Sequence, residues 1–113
     1  MKKGKFKSVY EAGNSVYSKL TVAYFKYTGG DNDLGIVISK KVGNSVVRHR
    51  YTRLIREVFR LNKEHLPAGY DIIVIAKRSI VGKSYAEIED DFFRLIHAFE
   101  KYGRHEKVAD KDD

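Results

Sequence analysis

The chain has 113 residues, enough for one core and too few for two. At 42 % hydrophobic residues it is not a disordered chain by composition, and the absence of cysteine excludes disulfides, thiolate zinc sites and a cysteine nucleophile. Lys and Arg total 22 against 15 Asp and Glu, a net charge of +7 that favours polyanionic partners without specifying a fold.

The opening Met1-Lys2-Lys3-Gly4-Lys5 is basic, but no apolar stretch of signal-peptide length follows it. No run approaches the roughly 20 apolar residues of a membrane span. The expectation is a soluble, cytoplasmic protein with no membrane partner. Residues 5–12 carry Phe6, Val9 and Tyr10 at helical spacing and end at Gly13-Asn14, which predicts a short helix. From Val16 to Tyr27 the pattern alternates, with Leu20, Val22 and Tyr24 on one side, and predicts a strand. Gly29-Gly30-Asp31-Asn32-Asp33 is turn chemistry, and residues 34–39 read as a second strand paired with the first as a hairpin.

Asn44 or Ser45 caps a long helix reaching about His65, stopped by Pro67 and Gly69. Tyr70 to Ala76 contains Ile72-Ile73-Val74-Ile75, the nearly continuous apolar run of a strand buried on both faces. Ser84 caps a last helix whose stripe is Tyr85, Ile88, Phe92, Leu95, Ile96 and Phe99. The order helix, hairpin, helix, strand, helix predicts an α+β domain, a two-layer α/β sandwich over residues 1–103. Residues 104–113 are expected to form a disordered acidic tail with no assigned role.

The informative stretch runs from Ser39 to Arg60. On a helical wheel Val47, Tyr51, Leu54, Ile55, Val58 and Phe59 gather on one side. His49, Arg53, Arg56 and Arg60 gather opposite, with Arg50 beside them, Arg48 at the other edge and only Glu57 as a counter-charge. An ordinary solvated face alternates signs, because like charges one turn apart cost a few tenths of a kcal/mol per pair. A face of arginines is relieved of that repulsion by an external polyanion, and guanidinium forks match phosphate oxygens. Lys40 and Lys41 precede the helix, and Gly43 and Asn44 leave its first N–H groups at the positive end of the dipole. The plainer readings are a merely basic surface helix, and for Gly43 a simple turn residue.

At these residues the sequence resembles the bacterial ribonuclease P protein subunit. That family carries a signature close to Ser-Lys-Lys-(Val/Ile)-Gly-Asn-(Ala/Ser)-Val-x-Arg-Asn-Arg before an arginine-rich helix, and residues 39–60 match it almost without a gap. Phe6, Tyr10 and Gly13 are similar to its opening helix, and Gly69 to Lys77 to its last strand, so the likeness covers roughly residues 5–102. His49 stands where Asn is usual. The chain also opens without the short basic leader that many relatives carry, so phosphate contacts made there fall outside the expected set.

The resemblance implies an endoribonuclease holoenzyme that removes the 5′ leader of precursor tRNA. Catalysis would reside in the RNA subunit with its Mg²⁺, and the protein would hold no cofactor, metal or catalytic residue. Lys40, Lys41, Gly43, Asn44, Arg48, His49, Arg50, Arg53, Arg56 and Arg60 would bind the catalytic RNA. Phe6, Tyr10, Val22, Tyr24 and Ser39 would line a cleft for the leader of the second partner, precursor tRNA. The implied fold has a left-handed β-α-β crossover, as in ribosomal-protein-like domains, against the usual right-handed rule. Phe6 and Tyr10 lie one turn apart and Val22 and Tyr24 share a side, so all can meet; aromatic platforms beside cations hold single strands at about 1–3 kcal/mol per stacked base. By residue class alone the aromatics would be core.

Four histidines lack metal-ligand spacing, and Glu89-Asp90-Asp91 reads as a solvated face. No phosphate loop and no Ser-His-Asp grouping is present. Two rivals remain: a general or ribosome-associated RNA-binding protein without a role in tRNA processing, and a protein nuclease acting alone.

Overall fold

Helix α1, Lys3–Ala12, ends where Gly13 turns into the left-handed region at φ 73° and its N–H bonds back to the Tyr10 carbonyl. In this computed structural model, which describes the backbone of residues 1–112 and the side chains of 1–102, four strands and two longer helices follow. They are β1 (Asn14–Tyr17), β2 (Thr21–Tyr27), β3 (Asp33–Val37), α2 (Ser45–Leu61), β4 (Tyr70–Ala76) and α3 (Tyr85–Asp112). Short 3₁₀ turns at Lys63–His65 and Arg78–Ile80 complete the connections. The expected tail, 104–113, lies outside the residues whose side chains are described.

The sheet order is β1-β2-β4-β3. Two expectations are corrected by it. The strand read from Val16 to Tyr27 is two strands, because Ser18-Lys19-Leu20 forms a tight turn in which the Ser18 N–H donates to the Thr21 carbonyl at 2.9 Å. The hairpin is therefore β1–β2, and β2 does not pair with β3. Instead β4 enters between them, antiparallel to β2 and parallel to β3. The Gly29 to Asp33 segment serves as a crossing over the sheet end: Thr28 and Gly29 N–H groups donate to the Gly69 carbonyl, and the Asn32 side chain bonds Tyr70 N–H and the Pro67 carbonyl. Gly69 is required there, at φ 89° with Tyr27 Cε1 2.8 Å from where a Cβ would sit.

As its apolar run predicts, β4 is central and buried on both faces. One face of the sheet carries the main core, where Ala23, Phe25, Ile72 and Val74 meet Ile55, Val58 and Phe59 of α2 and Ile88, Phe92 and Leu95 of α3. Each such Ile, Val, Leu or Phe side chain, fully buried, contributes about 1.5–3 kcal/mol. Helix α1 lies on the opposite face, over β2 and β4, with Val9 and Ile73 fully buried there. It adds a partial third layer to the sandwich. The parallel unit β3-α2-β4 is the β-α-β element of the fold.

The acidic cluster on α3 is also corrected. Asp90 is exposed, but Asp91 is 2 % exposed and accepts hydrogen bonds from Ser18 Oγ, Leu20 N–H and Thr21 Oγ1 at 2.7, 2.8 and 2.8 Å. Its neighbour Glu89 receives Asn62 Nδ2 at 2.9 Å. A carboxylate at this position pins the β1–β2 turn to α3.

Candidate nucleic-acid interface

Helix α2 begins as its sequence dictates. Asn44 is the N-cap, its Oδ1 accepting the Val47 N–H at 3.0 Å. Gly43 answers a steric demand, since a Cβ there would lie 2.8 Å from Val47 Cγ1. The glycine lets the loop cross close over the first turn, leaving the N–H groups of Ser45 and Val46 to face outward, as the first groups of any helix do. Lys40 and Lys41 are exposed on the loop between β3 and this cap.

Tyr51, Ile55, Val58 and Phe59 are buried, and the Tyr51 hydroxyl accepts the Gly82 N–H at 2.7 Å. That burial orients the rest. His49, Arg50, Arg53, Arg56 and Arg60 are all exposed, and a shallow groove runs along His49, Arg50 and Arg53 beside Val46 and Leu54. Glu57 is the acidic residue of this face and bonds the Arg60 guanidinium. The Arg60 hydrogen bond holds the Glu57 carboxyl below its usual range, and Glu57 in turn raises Arg60. Arg48 differs from the others. It is half-buried at the edge of the face, and its Nε is a buried donor with no hydrogen-bond partner among the described residues. An unmade bond of this kind costs about 1–3 kcal/mol unless an external acceptor completes it.

The second surface is on the α1 face of the sheet. The register aligns residues of successive strands into rows across this face. Lys26, Asp71 and Asp33 form one row, Tyr24, Ile73 and Gly35 the next, and Tyr17, Val22, Ile75 and Val37 the third. Helix α1 covers the first two. Lys5 Nζ bonds Asp33 at 3.0 Å and approaches Asp71 at 3.9 Å, and Lys26 Nζ donates to Ser8 Oγ. The hydrogen bond to Asp33 raises the Lys5 ammonium, and Lys5 holds the Asp33 carboxyl below its ordinary value. Phe6 lies over Gly35, where a Cβ would stand 2.7 Å from its Cζ. The Tyr10 and Tyr24 rings meet edge to face at 5.0 Å, and burial raises the Tyr10 phenol.

The third row is left open. Val22, Val37 and Ile75 are half-buried and Tyr17 is exposed, with Lys77 Nζ 5.9 Å from its ring centroid. Phe6, Tyr10, Val22 and Tyr24 therefore share one face, with α1 bounding an apolar trough along the third row. Ser39 lies exposed just past the trough, two residues beyond Val37. Sequence reasoning missed Tyr17, Val37 and Ile75. Tyr17 was hidden inside the single long strand, and the row exists only through the β2–β4–β3 register. The loop 38–44 joins this open end directly to the cap of α2, so Lys40 and Lys41 stand between the trough and the arginine face.

Among the described residues no helix is long and apolar enough to cross a membrane, and no group of three or more His, Asp or Glu side chains could hold a metal ion.

The family model described as Ribonuclease P matches residues 1–100. A Ribonuclease P protein component of Clostridium kluyveri is 44 % identical over 98 residues, 84 % of this chain and 88 % of that protein. That of Lachnoclostridium phytofermentans is 47 % identical over 91 residues, 80 % of this chain and 78 % of the relative. Among solved structures, RNase P protein from Thermotoga maritima superposes with a TM-score of 0.75 at 29 % identity, covering 80 % of this chain and 87 % of its own. A Staphylococcus aureus RNase P protein mutant with defective mRNA degradation activity gives 0.80 at 31 % identity, with 88 % and 86 % covered.

Proposed function

The chain belongs to the bacterial Ribonuclease P protein family, and from that premise we propose that it binds the catalytic RNA through α2 and the 5′ leader of precursor tRNA through the trough. The observation that carries this reading is the pairing of two unlike surfaces joined by the loop 38–44. One is a helical face of guanidinium groups, suited to the phosphates of a folded RNA. The other is an apolar trough with Phe6, Tyr10 and Tyr17 at its margins, suited to a single strand. The lysines of the connecting loop stand where a strand passes from one to the other.

On this reading Arg48, Arg50, Arg53, Arg56 and Arg60, with Lys40, Lys41 and the backbone at Gly43 and Asn44, neutralise RNA phosphates. His49 replaces an amide with a ring that can still donate one hydrogen bond. Phe6, Tyr10, Val22 and Tyr24 contact leader nucleotides, with Ser39 at the exit. The bond-breaking chemistry belongs to the RNA and to the Mg²⁺ it holds. The protein's contribution is positional: it raises affinity for a substrate that carries a leader, and it lowers the repulsion between two RNAs. Its place of work is the bacterial cytoplasm.

Binding of precursor and mature tRNA to the reconstituted holoenzyme tests this. The leader-bearing precursor should bind at least about tenfold tighter, the worth of one stacked base. Equal affinity for the two would remove the leader assignment and leave a general RNA-binding protein.

A further inference from the structure

Where α2 ends, the arginine face runs into a cavity whose apolar wall neither the phosphate contacts nor the leader trough uses. It lies between the last turns of the helix and the start of β3, with a volume of about 440 Å³. Leu34, Phe59, Leu66 and Ile72 form its apolar wall, and Arg56, Arg60 and Lys63 supply three cations. Resting on the RNA-binding reading above, we propose that this cavity receives one unstacked nucleobase of the bound RNA, whose phosphate is held by Arg56 and Lys63 beside the Glu57-bonded Arg60.

Phosphate binding alone asks only for exposed cations, and the rest of α2 provides them along the shallow groove of His49, Arg50 and Arg53. An apolar hollow beside cations fits a ligand with a flat apolar part and an anionic part, and its volume is within the usual range for small-ligand sites. Among the described residues neither Arg56 nor Lys63 has a carboxylate within 4.0 Å, so both are available to an anion. The carboxylate in the lining, Asp33, is occupied by Lys5 at 3.0 Å, and Glu57 outside the lining engages Arg60, which leaves Arg56 and Lys63 as the uncommitted cations. Asn32 is fixed as a wall, since its amide spends Nδ2 on the Pro67 carbonyl and Oδ1 on the Tyr70 N–H. Its one remaining N–H and lone pair are too little to read a base edge strongly. The pocket therefore selects an extruded nucleotide over a stacked one, with little preference among the bases.

Nuclear magnetic resonance of the full chain tests this, with adenosine 5′-monophosphate as the probe and ribose 5-phosphate and inorganic phosphate as controls. The nucleotide should move the methyl signals of Leu34, Leu66 and Ile72 and bind about tenfold tighter than ribose 5-phosphate. The double variant R56A/K63A should remain folded by its methyl spectrum and lose about tenfold in nucleotide affinity. Ribonuclease P RNA should displace the nucleotide, which places the natural ligand within RNA. Equal binding of ribose 5-phosphate, or no methyl shift, would overturn the pocket. Simultaneous binding of RNA and nucleotide would overturn the RNA source and leave a free nucleotide. Normal stimulation of precursor cleavage in either case would keep the parent reading intact, so the two failures are separable.

Discussion

Replacing Asp91 with alanine should destabilise the protein far more than an acidic residue in a row of three acids suggests. The carboxylate accepts bonds from Ser18, Leu20 and Thr21 and is almost fully buried. Bonds to a charged group contribute about 1.5–3 kcal/mol each, but truncation also relieves the desolvation of a buried charge, which costs several kcal/mol. The two hydroxyls keep a partner in each other, at 2.8 Å. The Leu20 N–H does not, and an orphaned buried donor costs about 1–3 kcal/mol. The balance is a loss of about 3 kcal/mol. At about 2.1 cal/mol/K of unfolding entropy per residue, that lowers Tm by about 12 °C for a chain of this length. Urea unfolding with an unchanged slope, and a thermal scan, would measure it. A loss below about 1 kcal/mol would refute the reasoning, because it would mean that the turn does not depend on this carboxylate.

Other outcomes follow from the same geometry. Arg53→Ala should weaken RNA binding and lower the slope of log affinity against log salt by about one contact, whereas Glu57→Gln, by releasing Arg60, should strengthen binding; titration across salt checks both. Phe6→Ala should reduce holoenzyme affinity for precursor tRNA by about tenfold with little change for mature tRNA, measured by competition between the two. Gly43→Ala should cost about 1–3 kcal/mol by forcing Val47 aside, read from denaturant midpoints. Asp33 is lowered by Lys5, so its pairing is present above the ordinary carboxylate range and lost as pH falls through the depressed value. The Lys5 side of the pair is present below the ordinary lysine value and lost above the raised one. Lys5→Met should therefore flatten the acid limb of the stability profile between the two Asp33 values.

Much of this was legible because local rules and the final fold agree. Asn44, Gly13 and Ser84 mark helix ends through short-range bonds that need no knowledge of the sheet, whereas α2 ends at Leu61, short of the expected His65, with a 3₁₀ turn before Pro67. The two-sided burial of Ile72 to Val74 places β4 at the centre from composition alone. The arginine face is legible because burial of Tyr51, Ile55 and Val58 fixes the phase of the whole helix. Pairing was not legible. Gly29-Gly30 announces a reversal but not the partner, and that partner arrives some forty residues later at Gly69 and Tyr70. The same gap hid Asp91, whose three donors sit about seventy residues earlier, and hid the row of Tyr17, Val37 and Ile75. Gly35 carries no turn signal; only the Phe6 ring lying on it explains the absence of a side chain.

Cleavage of precursor tRNA at low Mg²⁺ by a bacterial ribonuclease P RNA, with the protein added or omitted, tests the central claim most directly. Both components together should remove the leader while neither does so alone at that Mg²⁺ concentration. Cleavage by the protein alone would contradict the assignment of chemistry to the RNA, and RNA binding that leaves cleavage unchanged would contradict the role in leader processing.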